Sequence, residues 1–182
     1  MPDRDHAWRV LREADLVFDA DRVRTAVESI ASDITARLAE AYPLVLCVMG
    51  GSVVFTGQLL PLLRFPLDFD YLHVTRYDGA TRGGALSWKV LPRHPVVGRT
   101  ILVLDDILDE GHTMMAIRER MLGEGASAFY SAVFADKDIA RPKPLQPDFC
   151  GLKLPDRYVF GFGMDVEGAW RNLPEIYALR GG

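Results

Sequence analysis

The stretch Ile101-Leu-Val-Leu-Asp105-Asp106-Ile-Leu-Asp109-Glu110-Gly111-His112-Thr113 decides how this chain is read. Residues 101–104 are apolar at every position, the pattern of a parallel strand covered on both faces, and residues 111–122 follow as a helix. Between them, three carboxylates and a short turn lead into the helix start. Backbone N–H groups there point forward and the helix dipole favours an anion, so Gly111, His112 and Thr113 can cradle a phosphate without much basic charge. Thr113 adds a hydroxyl donor. Asp105 and Asp106, pure acceptors when ionised, suit the hydroxyls of a ribose whose 5-phosphate sits in that cradle. Asp109, a turn later, can reach past the sugar and take a proton from an attacking nitrogen, which makes it the candidate general base. A plain helix-capping turn also collects acids, and spacing alone leaves both readings open.

Working outward, Asp19 or Asp21 can cap a helix whose apolar positions Val23, Val27, Ile30, Ile34 and Leu38 recur every three or four residues, up to about Ala41. Pro43 opens the apolar run 44–49, which meets Gly50, Gly51 and Ser52 before a second helical stretch through Val54, Leu59 and Leu63. A strand is expected over 67–75, then a polar, glycine-containing mobile loop over 76–84, then a strand over about 85–91. Downstream, 128–134 reads as a strand, 141–147 is punctuated by prolines, and short strands at 149–154 and 158–161 flank the turn Pro155-Asp156. The tail, 166–180, has no strong period and is expected to be mostly irregular. Strands alternating with helices predict an α/β fold with a mainly parallel central sheet flanked by helices. In such sheets ligands lie beyond the carboxyl ends of the strands, here 49–52, 75–84, 105–113 and 135–137.

With 182 residues the chain can bury a substantial core as one domain, with room for a small subdomain, and 49% hydrophobic with 25% charged residues is ordinary globular composition. A net charge of -4 without a basic run argues against a nucleic-acid partner. The charged start lacks the apolar core of a signal peptide, and no apolar run approaches the roughly 20 residues that span a bilayer, so a cytoplasmic protein without membrane contact is expected. Cys47 and Cys150, each among apolar residues, are expected to be buried thiols of a reducing compartment.

Residues 101–113 resemble the phosphoribosyl pyrophosphate signature of type I phosphoribosyltransferases, in which apolar residues precede two acids and a loop of Asp-Thr-Gly-x-Thr type. The likeness extends over roughly 45–173 and, within that superfamily, is to the hypoxanthine-guanine enzymes. It implies the type I phosphoribosyltransferase fold, with a single domain over 1–182 and a small hood formed by the N-terminal and C-terminal segments. It assigns the ribose to Asp105 and Asp106, the 5-phosphate to Asp109, Glu110, Gly111, His112 and Thr113, and proton abstraction to Asp109. Glu110 replaces a small hydroxyl residue of the pattern, so its side chain is expected to turn outwards while its amide faces the phosphate.

Cys47-Val48-Met49-Gly50-Gly51-Ser52 resembles the pyrophosphate-binding loop of those enzymes, in which glycines let amides approach the anion; Gly50 stands where the family often has lysine. Thr75-Arg76-Tyr77 resembles the start of their mobile catalytic loop. Lys137 matches the lysine that donates to the purine 6-oxo group. The segment Pro155-Asp156-Arg157-Tyr158-Val159-Phe160-Gly161-Phe162-Gly163-Met164-Asp165, with Arg171 beyond it, resembles the end of the purine site. There Tyr158 would stack on the base, Val159 would contact its edge, Asp165 with Asp105 and Asp106 would hold magnesium, and Arg171 with Gly50 and Gly51 would hold pyrophosphate. The resemblance thus implies purine salvage, from a base and phosphoribosyl pyrophosphate to IMP or GMP, by a homo-oligomer (dimer or tetramer). Two other readings are a regulator that uses the same fold to bind nucleotides and nucleic acid, and a xanthine-preferring transferase.

Overall fold

Strands with apolar residues at every position need cover on both faces, and the chain supplies it. The structure is a computed structural model that describes residues 3–76 and 86–181. Its elements are α1 (Arg4–Glu13), β1 (Asp15–Phe18), α2 (Ala20–Leu38), β2 (Leu44–Val48), α3 (Val53–Leu59), β3 (Asp68–Arg76), β4 (Leu86–Val90), β5 (Thr100–Leu108), α4 (His112–Gly123), β6 (Ala128–Asp138), β7 (Phe149–Pro155), β8 (Val159–Phe160) and β9 (Ile176–Ala178). Six strands form one sheet in the order β4-β3-β2-β5-β6-β7, parallel throughout except for the antiparallel edge β4. This is the type I phosphoribosyltransferase fold.

The central strands are divided between two cores by the two-residue period of side chains. Leu102 and Leu104 of β5 pack with Val27, Ile30 and Ile34 of α2 and Phe55 of α3, while Ile101 and Val103 pack with Met114, Ile117 and Met121 of α4. Helix α2 starts where predicted, with the Asp19 carboxylate accepting the Arg22 amide at 2.8 Å, and buries all five of the apolar positions that announced it. The second helix is shorter than its apolar spacing suggested. Pro61, which has no amide to donate, turns the chain from α3 into a single 3-10 turn at Leu60–Leu62.

Strands β5 and β6 run four residues beyond their expected ends. Asp105 pairs with Val133, and Leu108, 2% exposed, pairs with Asp136. Asp105 and Asp106 therefore sit on the strand, and Asp109 lies in the turn after it. Cys47 is buried as expected, but Cys150 is exposed, because it lies on the outward face of the edge strand β7.

A second, three-stranded antiparallel sheet, β1-β9-β8, joins the two ends of the chain. The tail is irregular except for β9. Helix α1 and strand β1 precede the first segment assigned from the sequence; α1 buries no residue, and β1 has only partly buried and exposed ones. Arg76 closes β3, while Tyr77 and the rest of the expected mobile loop to residue 84 lie outside the described residues.

Candidate active site

Strands β5 and β6 carry Asp105, Asp106, Asp109 and Lys137 to the carboxyl edge of the sheet, where the 158–171 segment of the smaller sheet meets them. Between these walls lies a cavity of about 230 Å³ lined by Asp106, Ile107, Asp109, Lys137, Tyr158, Val159, Met164, Asp165 and Arg171. The ammonium of Lys137, whose side chain is only 14% exposed, stands 3.4 Å from the Asp109 carboxylate. Opposite them Tyr158, half exposed, donates its hydroxyl to the Asp165 carbonyl at 3.1 Å. Burial, then the Asp165 charge, raises the Tyr158 phenol, so its ring face stays part of a neutral wall.

A smaller cavity of about 100 Å³ adjoins, lined by Asp105, Ile107, Leu108, Asp109, Glu110, Gly111, Thr113 and Met114. Gly111 begins α4 at φ 81°, and no side chain caps the helix. That removes the capping reading for Asp109 and leaves the amides of the first turn directed forward. The Glu110 carboxylate is ion-paired with Arg141. Asp109 lines both cavities, whereas Gly50, Gly51 and His112 line neither.

The acid pair is electrostatically unusual. Burial above all, then the neighbouring Asp106 charge, pushes the Asp105 carboxyl well above its ordinary value. Asp106 is also raised, chiefly by burial. Gly51 makes room for this pair: a Cβ there would fall 1.9 Å from Asp106 Oδ2. Gly163, at φ 100°, in turn presses on Gly51, since its own Cβ would fall 2.0 Å from the Gly51 carbonyl oxygen. The glycines at 51 and 163 thus allow the 49–52 turn, the acid pair and the 158–171 segment to meet. Of the two, Gly163 was missed as a site element by sequence reading, although its alternation with Gly161 was a visible signal.

Arg171 forms an ion pair with Asp165 and donates to the Gly163 carbonyl at 2.6 Å, while Asp165 also accepts the Gly168 amide at 2.8 Å. No group of three or more His, Cys, Asp or Glu side chains among the described residues clusters as a metal cage. Magnesium does not need one, because it commonly uses one or two protein carboxylates and completes its shell with substrate phosphates and water. Asp106 and Asp165, hard oxygen donors on the same cavity, fit that mode.

The chain belongs to the family of the Phosphoribosyl transferase domain, whose profile matches residues 14–167. Its relatives include the hypoxanthine-guanine-xanthine phosphoribosyltransferase of Tritrichomonas foetus, 30% identical over 166 residues that span 91% of each chain. The hypoxanthine-guanine phosphoribosyltransferase of Lactococcus lactis subsp. lactis (strain IL1403) is 34% identical over 139 residues, 76% of this chain and 75% of the relative. Among solved structures, a Trypanosoma cruzi hypoxanthine phosphoribosyltransferase mutant in a ternary substrates complex matches with a TM-score of 0.85 and 26% identity, covering 93% of this chain and 95% of that one.

Proposed function

We propose that the chain is a purine salvage transferase that joins hypoxanthine or guanine to the ribose 5-phosphate of phosphoribosyl pyrophosphate, giving IMP or GMP and pyrophosphate. One observation carries this reading: an ammonium and a carboxylate, Lys137 and Asp109, stand 3.4 Å apart on one wall of the cavity. On a 6-oxopurine, O6 and N7 are adjacent on one edge. An ammonium can only donate, and a carboxylate accepts, so the pair matches an oxo group beside a protonated N7. The 6-amino group of adenine would set donor against donor.

In this reading the base stacks on Tyr158 with Val159 at its edge, and the ribose hydroxyls bond to Asp105 and Asp106. The 5-phosphate sits on the amides of Asp109, Glu110, Gly111, His112 and Thr113. Purine N9 bonds to the anomeric carbon as the carbon–oxygen bond to pyrophosphate breaks, and the N7 proton passes to Asp109. Gly50, Gly51 and Arg171 receive the leaving group. Magnesium, held by Asp165, Asp105 and Asp106, would neutralise charge on pyrophosphate.

The whole chain works as one transferase domain, with the β1-β9-β8 sheet as its hood. It acts in the cytoplasm as a homo-oligomer, dimer or tetramer, with neither nucleic acid nor membrane as partner. Exposed Phe69 and Tyr71, alternate residues on one face of β3, support a contact between copies. Among the described residues no helix is long and apolar enough to cross a membrane.

The test is a panel of bases offered with phosphoribosyl pyrophosphate and magnesium, following nucleotide and pyrophosphate. Hypoxanthine and guanine should be converted and adenine only weakly. Xanthine belongs in the panel because the Tritrichomonas relative carries it in its name. Adenine turnover equal to that of hypoxanthine would overturn the base assignment, and nucleotide binding without turnover would favour a regulator.

A further inference from the structure

Lys143 lines neither cavity, yet it is the most enclosed cation near them. Its side chain is 6% exposed, and its ammonium donates to the Leu108 carbonyl at 2.7 Å and the Lys137 carbonyl at 2.6 Å while pairing with the Asp136 carboxylate. Leu108 and Asp136 are register partners at the ends of β5 and β6. One ammonium therefore ties together the last turns of the two strands that deliver Asp109 and Lys137. Three donors on a single nitrogen match the three acceptors found there.

The surrounding residues brace the same turn. Arg141 pairs with Glu110, and Gly111 is packed against this segment, its Cβ position lying 3.3 Å from Pro144 Cδ and 3.6 Å from Lys143 Cβ. Residues 108, 110 and 111, which enclose Asp109 in the chain, are thus all held by 141–144. Asp136 does not depend on Lys143 alone, because Lys153 also pairs with it. Burial disfavours the charge on Asp136, but hydrogen bonds from Lys143 and Lys153 outweigh that and lower its carboxyl below the ordinary value.

We infer that Lys143 is a positioning residue for the base: by holding the carbonyls of Leu108 and Lys137 it fixes the separation of Asp109 from Lys137, and so the fit to O6 and N7. The inference rests on the proposed reading of the cavity as a 6-oxopurine site. A purely structural ammonium would serve mainly to neutralise Asp136, and its loss would weaken both substrates together through stability. A positioning ammonium also changes which base is accepted, which a general loss of stability does not.

The test compares wild type with Lys143→Met, which keeps length without charge, and with Asp136→Asn/Lys143→Met, which also removes the carboxylate left behind. In both variants KM for hypoxanthine and guanine should rise about ten- to hundredfold, the scale of a small misplacement. Their preference over adenine should shrink about tenfold, a change of selectivity that a loss of stability shared by every substrate does not produce. An unchanged preference over adenine, or recovery of base KM in the double variant together with its melting temperature, would overturn the inference. A wild type inactive on every base would instead count against the proposed function. Amide exchange over 108–111 and at 137 then decides for Lys143: faster exchange in the variants supports its role, and unchanged exchange refutes it.

Discussion

The two walls of the cavity are built by different means. Asp106, Asp109 and Lys137 sit at the ends of parallel strands with a core on either side, held by ladder hydrogen bonds and by Lys143. Asp165 and Arg171 belong to a segment of isolated bridges, Gly161 with Met164 and Val166 with Ala169. Its backbone takes positive φ at Gly161, Phe162, Gly163, Glu167, Gly168 and Trp170. The strand-built wall gets its precision from register, which a buried sheet specifies strongly. The turn-built wall gets its shape from glycines that tolerate left-handed backbone and close approach. In the proposed reaction, proton transfer, which is sensitive to small displacements, would fall to the first, and the spread charge of metal and pyrophosphate to the second.

The sharpest way to break this division is Asp109→Asn, which keeps shape but cannot take a proton. Turnover should fall by about 10²- to 10⁴-fold while product monophosphate still binds, measured by steady-state kinetics and titration. A rate within about threefold of wild type would remove general base catalysis from the strand-built wall. On the other wall, Arg171→Ala and Asp165→Ala each delete a charged partner. KM for phosphoribosyl pyrophosphate should rise about ten- to hundredfold with KM for the base nearly unchanged, the range expected when charge-assisted bonds are lost. Equal effects on both substrates would show that the walls do not divide the labour.

The smallest effect tests how the turn-built wall is held together. Gly163→Ala combines left-handed backbone with a collision against the Gly51 carbonyl, so it should lower stability by roughly 1–3 kcal/mol. Gly50→Ala meets nothing within 4 Å and should cost less than about 1 kcal/mol. Thermal melts of the two variants give the comparison, and equal melting temperatures would mean that Gly163 is not the contact point.

Legibility in the sequence follows the same divide. Strands β2 and β5 announce themselves because a strand covered on both faces is apolar at every position, and α2 because its buried face and cap are local. The true ends of β5 and β6 were hidden, since acids after an apolar run read as a turn and only pairing between the two strands extends them. Strands β1 and β9, four and three residues long, pair across more than 150 residues of chain, which no local pattern encodes. In the site, Asp105, Asp106 and Asp109 could be picked out from a motif and Lys137 from a family resemblance, and the structure brings all four to the carboxyl edge of the sheet. Lys143 could not, because a lysine between two prolines looks like a solvated loop residue until its three acceptors are brought around it.

Helix α1 has a consequence of another kind. It buries no residue of its own, and is joined to the 167–170 segment by a His6–Glu167 contact of 2.7 Å, a bond from Trp170 Nε1 to the Ala7 carbonyl and the edge-on rings of Trp8 and Trp170, 4.9 Å apart. Trp170 is the immediate neighbour of Arg171. Two of the three tryptophans in the chain therefore form one chromophore pair beside the turn-built wall, while Trp88 lies apart under Arg120. Any shift of that wall alters the ring geometry, so the protein carries an intrinsic fluorescent reporter on the turn-built side of its site.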